Sequence, residues 1–150
     1  MKAVIQRVRN AEVQVDGSTV GSISEGFLIL LGVEQGDTEK DAEKLSAKIA
    51  VLRVFSDEND KMNLSVKEID GEILVVSQFT LCAKCRKGRR PDFTSAARPE
   101  TAEPLYEYFC DCLKTNGVRH IEKGIFGADM KVSLLNDGPV TILLDSHELA

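Results

Sequence analysis

The segment Ser77-Gln78-Phe79-Thr80 ends an apolar run and is the first place in the chain where chemistry could occur. Its two hydroxyl groups, one carboxamide and backbone N–H groups could bind the oxyanion that develops when an ester is attacked. Taken alone, the segment is more typical of a strand end that satisfies its own backbone. Because His120 and His147 fall outside the polar segments, no serine nucleophile activated by histidine is predicted.

A second polar segment, Asn136-Asp137-Gly138-Pro139, precedes Val140 and Thr141. Its residue types alone predict a plain turn between two strands. A peptide bond before proline has a reduced preference for trans, so the Gly138–Pro139 bond is free to be cis or trans.

Five basic residues fall within seven positions, and they are Lys84, Arg86, Lys87, Arg89 and Arg90. The whole chain carries a net charge of −5, and without these five residues 14 basic residues face 24 acidic ones. A concentrated positive loop on an acidic body attracts polyanions locally. The sequence therefore favours phosphate binding and a solvated surface loop about equally.

The cysteines do not predict a metal site. Cys82 and Cys85 form a C-x-x-C pair, which is compatible with a redox pair or half of a zinc site. The second pair, Cys110 and Cys112, has poor spacing for zinc and lies in a predicted helix, and neither histidine completes a ligand set. We predict reduced thiols, no metal and no cofactor.

The first part of the chain is predicted to form strands, followed by a helix. Alternating residues predict strands on both sides of an Asp16-Gly17 hairpin turn, and residues 26–33 predict a buried central strand. Asp37 or Thr38 is expected to cap a helix whose apolar stripe is Ala42, Leu45, Ile49 and Leu52.

The second half repeats this order. Residues 71–79 predict a buried strand, and an amphipathic helix follows the basic loop, with Pro104 in its first turn and its end at Asn116-Gly117. Two more strands are expected near residues 131–135 and 140–144. The prediction is one α+β domain over residues 1–150, with a mixed or antiparallel barrel-like β-sheet and two main helices packed on it.

No part of the chain predicts membrane insertion or export. The longest apolar run is Phe27 to Leu31, far below the roughly 20 residues that span a bilayer. Charges interrupt the apolar N-terminal stretch, so it lacks the core of a signal peptide. We therefore expect a cytoplasmic protein that does not bind membranes.

Several short segments, in the same order, resemble the D-aminoacyl-tRNA deacylases over nearly the whole chain. The matching segments are residues 1–8, 16–17, 61–66, 77–81, 86–91, 127–130 and 136–141. A related branch for achiral substrates carries Pro-Gln-Ala-Thr where this chain has Ser77 to Thr80, so the chain resembles the D-specific branch. The resemblance implies hydrolysis of the ester bond of D-aminoacyl-tRNA, and of glycyl-tRNA mischarged on tRNA-Ala, as chiral proofreading in translation.

The resemblance also implies a site. Residues 77–80 (Ser77, Gln78, Phe79 and Thr80) and the Gly138–Pro139 segment would build the pocket for the terminal adenosine and the amino acid. The Gly-Pro bond would be cis, and its segment would enter the pocket of the partner subunit in a homodimer. The carbonyls of Gly138 and Pro139 would then crowd an L-side chain and admit a D-side chain or glycine. Further substrate-binding positions would be Met130, Asn136, Val140 and Thr141.

For the catalytic step we expect backbone N–H groups around Phe79 and Thr80 to hold the oxyanion. The resemblance implies that the 2′-hydroxyl of the RNA takes part, which fits the absence of a base beside Thr80. We favour Thr80 as a positioning residue over Thr80 as a nucleophile. The basic loop would contact phosphates at the acceptor end of the tRNA, although Lys84, Cys85 and Asp92 depart from the usual family residues there.

Three alternatives stay open at this point. One is an aminoacyl esterase that ignores chirality, and another is a nucleotide- or RNA-binding module without activity. The third is a structural dimer in which Gly138–Pro139 is only a turn.

Overall fold

The first strand lies at the centre of the sheet and pairs with three other strands. A computed structural model describes all 150 residues. The strand β1 (Lys2–Val15) pairs antiparallel with β2 (Ser18–Ile23), β3 (Gly26–Gly32) and β8 (Lys131–Asp145). The first half of β1 lies beside β3 and the second half beside β2, while β8 follows the opposite edge. The predicted hairpin is confirmed, since Val15 pairs with Ser18 across Asp16-Gly17.

Two parallel pairs extend the sheet. The strand β6 (Glu72–Ser77) runs parallel to β3, and β7 (His120–Lys123) runs parallel to β6. Each parallel connection contains a helix, α1 (Glu39–Val51) or α2 (Pro99–Thr115), as crossovers between parallel strands usually do. The remaining elements are a small hairpin of β4 (Phe55–Ser56) and β5 (Met62–Leu64) and two short 3-10 helices, Phe79–Cys82 and Ser146–Glu148.

The sheet curls until its outer strands nearly meet. A Cβ atom on Gly21 of β2 would lie 2.8 Å from the Lys123 carbonyl oxygen of β7 and 3.1 Å from the Leu74 side chain. Only glycine permits so close an approach. Inside this curl lies the barrel core, seven buried residues: Val8, Ala11, Val13, Ile23, Leu28, Leu74 and Val76.

Both helices pack on the outer face of the sheet. The larger helix-side core contains 23 buried residues, including Phe27, Ile49, Tyr106 and Phe109. Thr38 is the N-cap of α1, and the Asp41 carboxylate accepts a hydrogen bond from its N–H at 2.8 Å, the reciprocal contact of a capping box. The predicted mixed, barrel-like α+β architecture with two helices is confirmed.

Two local predictions are wrong. Pro104 is the sixth residue of α2 and not part of its first turn. It is tolerated because it faces solvent, where water can bond the Glu100 carbonyl that loses its intrahelical donor. In addition, residues 131–145 form one strand and not two, because both halves pair with β1 in the same direction.

The strand β7 and the β4–β5 hairpin were not expected from the sequence. Neither of the two helices has the length and apolar character that a membrane crossing requires.

Candidate functional site

A cavity of about 510 Å³ opens where β3 and β6 end. Parallel strands present their carboxyl ends at the same edge of a sheet, so this is a common position for a ligand site. The start of α2 and the segment before β8 form the other walls. The lining residues are Leu31, Val33, Val76, Ser77, Gln78, Phe79, Ala97, Pro99, Ala102, Tyr106, Phe126, Gly127, Ala128, Asp129, Met130 and Val132.

Three of the four predicted residues at the end of β6 line the cavity. Ser77 is the last residue of β6 and is paired with Leu31, and the Gln78 N–H donates to the Leu31 carbonyl at 2.8 Å. Phe79 then begins a 3-10 helix. The first N–H groups of such a helix have no acceptor within it. The N–H groups of Phe79 and Thr80 are therefore free to bind an anionic oxygen.

Thr80 follows Phe79 in the 3-10 helix and does not line the cavity. Its hydroxyl is exposed and accepts a hydrogen bond from the Gln78 carboxamide. Neither a histidine nor a carboxylate bonds to this hydroxyl, and neither histidine lines the cavity. The arrangement therefore supplies no general base for a threonine nucleophile.

The floor of the cavity contains Tyr106, which the sequence indicates only as part of the apolar stripe of α2. Its hydroxyl donates to the Val75 carbonyl at 2.8 Å in the protein interior. Burial raises the pKa of the Tyr106 hydroxyl, because the charged form would be desolvated. Tyr106 thus fixes α2 to β6 and stays a neutral donor.

The segment with Gly138 and Pro139 does not line this cavity. Asn136 pairs with Val8 and Thr141 pairs with Gln6, so four residues of β8, Asp137 to Val140, bulge opposite Arg7 alone. The Gly138–Pro139 bond in this bulge is cis. The expected turn is wrong in form, because the chain bulges without reversing its direction.

Strand order explains the separation. The sheet places β1 and β3 between β8 and β6. The strands β6 and β8 are therefore three strand spacings apart, roughly 14 Å. The residue of β8 that lies in line with Ser77 and Leu31 across the sheet is Leu144, five positions from Pro139. Among the four further predicted substrate-binding residues, Met130 lines the cavity, while Asn136, Val140 and Thr141 lie with the bulge. The Thr141 hydroxyl donates to the Gln6 carboxamide.

Arg7 holds the bulge in place, a role that its position in an apolar strand does not indicate from the sequence. Its side chain is only 11% exposed. Its Nε donates to the Asp137 carbonyl at 2.8 Å, and a terminal nitrogen donates to the Val54 carbonyl at 2.6 Å. Gly138 has a φ of +131°, which L-residues rarely adopt, and a Cβ there would make a tight contact of 3.0 Å with the Arg7 guanidinium. The hydrogen bonds of Arg7 thus fix the backbone that carries the carbonyls of Gly138 and Pro139.

The basic loop follows the 3-10 helix directly. Lys84 and Asp92 exchange backbone hydrogen bonds of 2.8 and 2.9 Å and close the loop at its base. The five basic side chains are exposed and none takes part in an ion pair. The Thr94 N–H lowers the pKa of the Asp92 carboxyl, so one fixed negative charge stands at the base of a positive loop.

All four cysteines are free thiols. Cys82, Cys110 and Cys112 are buried and Cys85 is exposed. Burial raises the pKa of Cys82 to about 11 and that of Cys110 to about 12, which makes these thiols poor nucleophiles.

One polar cluster has donor groups that a metal ion could use, namely Glu34, Asp37 and His147. The Met1 α-ammonium lies 2.8 Å from an Asp37 carboxylate oxygen and 3.8 Å from a Glu34 oxygen. The Lys2 ammonium lies 3.5 Å from the other Glu34 oxygen. Two cations therefore already pair with these two carboxylates, and the cluster acts as a structural ion-pair network.

The chain is similar to known proteins over nearly its whole length. The family model described as D-Tyr-tRNA(Tyr) deacylase matches residues 4–145. A D-aminoacyl-tRNA deacylase of Geobacter sulfurreducens is 59% identical over 146 residues, which cover 97% of this chain and 95% of the relative.

Two solved structures share the architecture. One is described as c-Myc DNA Unwinding Element Binding Protein and superposes with a TM-score of 0.90 at 47% identity, covering 97% of this chain and 98% of the other. The second, a probable eukaryotic D-amino acid tRNA deacylase, has a TM-score of 0.77 at 16% identity, covers 95% and 97% of the two chains, and supports the fold alone. By the family model and the close relative, the chain belongs to the D-Tyr-tRNA(Tyr) deacylase family.

Proposed function

We propose that this chain hydrolyses the ester bond of D-aminoacyl-tRNA and releases the free D-amino acid and tRNA. The observation that carries the proposal is the cavity whose wall is formed by Ser77, Gln78 and Phe79, in a chain of this family. A well-formed, mostly apolar cavity with a few convergent polar groups is the usual ligand site of an enzyme.

The cavity has a suitable shape and chemistry for the end of an aminoacyl-tRNA. Its floor is mostly apolar, with Val76, Ala102 and Tyr106 available to a nucleobase, and Ser77 and Gln78 supply polar groups at one wall. We place the terminal adenosine in this cavity and the ester carbonyl beside the free N–H groups of Phe79 and Thr80. One such donor contributes about 3–4 kcal/mol to the stabilisation of an oxyanion.

The proposed chemistry needs no protein nucleophile. Aminoacyl esters are activated already, so water attack with a stabilised oxyanion is sufficient, and the 2′-hydroxyl of the terminal ribose can assist. We assign Thr80 a positioning role through its hydrogen bond with Gln78, because no basic group contacts its hydroxyl.

We propose that a second copy of the chain completes the site. Gly138 and Pro139 lie on a different part of the sheet from the cavity of their own chain, so they can reach only a neighbour's cavity. Their carbonyls would then occupy the space that an L-side chain needs, and a D-side chain or glycine would fit. Glycyl-tRNA mischarged on tRNA-Ala is accordingly a second substrate, and the whole chain, residues 1–150, is the deacylase domain of a homodimer. Its cytoplasmic location stays a prediction.

The decisive experiment compares D-tyrosyl-tRNA with L-tyrosyl-tRNA as substrates of the purified protein. We expect release of D-tyrosine and preservation of the L-ester, measured as the remaining acid-precipitable charged tRNA. Equal rates on both would indicate an esterase without a chiral filter. Binding of tRNA with no release from either substrate would favour a nucleic-acid-binding module, the kind of activity named for the structural neighbour with 47% identity.

A second prediction concerns the basic loop. Replacing Arg89 and Arg90 with glutamine should weaken tRNA binding and flatten its salt dependence by about 0.7 in log–log slope for each single-strand phosphate that is no longer neutralised. The matched control replaces Lys40 and Lys48, two exposed basic residues of α1, and should leave the slope unchanged. An equal slope in wild type and the Arg89/Arg90 variant would mean that the loop faces solvent.

A further inference from the structure

An exposed aromatic ring extends the site beyond the cavity. Phe93 is 37% exposed and packs edge-to-face against Phe79, with ring centroids 5.2 Å apart and an angle of 70° between the rings. Phe79 is itself 57% exposed and lines the cavity, whereas Phe93 does not. The two rings therefore form a continuous aromatic surface that leads out of the cavity mouth.

The backbone around Phe93 is fixed by hydrogen bonds although the ring is open to solvent. Its carbonyl accepts a hydrogen bond from the Ala96 N–H at 3.0 Å. On either side, Asp92 is bonded to Lys84, and the Gln35 side chain donates to the Thr94 carbonyl at 2.6 Å. An aromatic side chain has only two torsion angles, so on a fixed backbone it loses little conformational entropy on binding and makes a good stacking surface.

The same backbone contact that fixes Phe93 also closes the basic loop. The Lys84–Asp92 pair lies immediately before Phe93, and the unpaired cations at positions 86 to 90 project from the loop it closes. An aromatic surface beside unpaired cations is the composition of sites that bind single-stranded nucleic acid, where bases stack and phosphates are neutralised.

We infer that Phe93 stacks against the base of the nucleotide that precedes the terminal adenosine, while the basic loop contacts the neighbouring phosphates. This inference rests on the proposed function, which places the terminal adenosine in the cavity. Phe79 then separates the two nucleotides, with the adenosine on its cavity side and Phe93 supporting the preceding base outside.

The test uses the intact protein and two substrates, D-tyrosyl-tRNA and the same tRNA with an abasic penultimate nucleotide. We expect Phe93→Ala to lower kcat/KM on the intact substrate by about tenfold, mainly through KM, the range found when base stacking is removed. Removing the base should lower the kcat/KM of wild type by a similar factor and should leave the kcat/KM of Phe93→Ala unchanged. Phe93→Tyr, which keeps an aromatic ring, should retain the wild-type value.

The control is Met62→Ala, another exposed apolar residue on the separate β4–β5 hairpin, which should behave as wild type on both substrates. The inference is overturned if Phe93→Ala is as active as wild type, or if it loses activity but still responds fully to the missing base. In both cases wild type would remain active on the intact substrate. A wild type that releases no D-tyrosine would instead overturn the proposed function itself.

Discussion

Replacing Arg7 with alanine is expected to lower the preference for D- over L-tyrosyl-tRNA by about 100-fold. The reason is geometric, because Arg7 is the one side chain that bonds the carbonyl of Asp137 and fills the space opposite Gly138. A displacement of about 1 Å in a group that positions substrate can cost a factor of about 100. Rates of deacylation on the two substrates, measured side by side, give the preference directly.

Arg9 provides the matched control for this variant. It also lies near Asp137, with 3.3 Å between its Nε and the carboxylate, but it is 60% exposed and donates no hydrogen bond to the bulge backbone. Arg9→Ala should therefore change the preference less than about twofold, since exposed ion pairs contribute little. Arg7→Lys should resemble Arg7→Ala, because one ammonium group cannot copy the planar guanidinium that reaches both carbonyls. If the Arg7→Ala protein folds and keeps the wild-type preference, the position of the bulge does not determine the preference for D- over L-substrates.

The largest decrease in stability is expected from Asp37→Asn. The Asp37 side chain is fully buried, and its carboxylate bonds the Met1 α-ammonium at 2.8 Å, the Glu34 N–H at 2.7 Å and the His147 ring at 3.0 Å. Removing one member of a buried ion pair costs about 3–5 kcal/mol, and here the Met1 α-ammonium would keep only the more distant Glu34 carboxylate at 3.8 Å. Denaturant unfolding at neutral pH should show this as a lower midpoint with an unchanged slope.

A nearby ion pair serves as the comparison. Asp145 bonds Lys2 at 2.8 Å, yet both side chains are partly exposed. Asp145→Asn should cost at most about 1 kcal/mol, as is usual for such pairs. Equal decreases for the two variants would show that burial of the Asp37 network contributes nothing beyond an ordinary surface pair.

The sequence predicted those parts of the fold that local patterns determine. The hairpin at Asp16-Gly17, the helix capped by Thr38 and the buried strand before Ser77 each have a period or a turn signal that only one structure satisfies. The strand β7 has four residues with no strong alternation of apolar positions, and its pairing with β6 depends on contacts distant in sequence. Such pairing cannot be obtained from local pattern.

The bulge illustrates a different limit. Asparagine, aspartate, glycine and proline favour any departure from regular pairing, and the sequence does not distinguish a reversal from a bulge. The difference lies in β1, which is long enough to pair with both halves of β8.

The candidate site was predictable only in part. The polar end of an apolar strand drew attention to Ser77 to Thr80, but only the family resemblance made these residues and Met130 predicted site residues. Arg7 and Phe93 were not predicted, for opposite reasons, since an arginine in a strand is expected to face solvent and a phenylalanine in a loop is expected to face the core. Each becomes meaningful only through a neighbour distant in sequence, Asp137 for Arg7 and Phe79 for Phe93.

The irregular pairing of β1 with β8 also limits how the chain can change in length. Arg9 is an extra residue in β1, opposite the step from Asn136 to Leu135. Because of it, Ile5 belongs to the helix-side core while Ala11 and Val13 belong to the barrel core. An insertion or deletion of one residue between Ile5 and Ala11 would move every side chain in the second half of β1 to the opposite face of the sheet. We therefore expect this interval not to tolerate a change of length, whereas the turn between β4 and β5 should tolerate one.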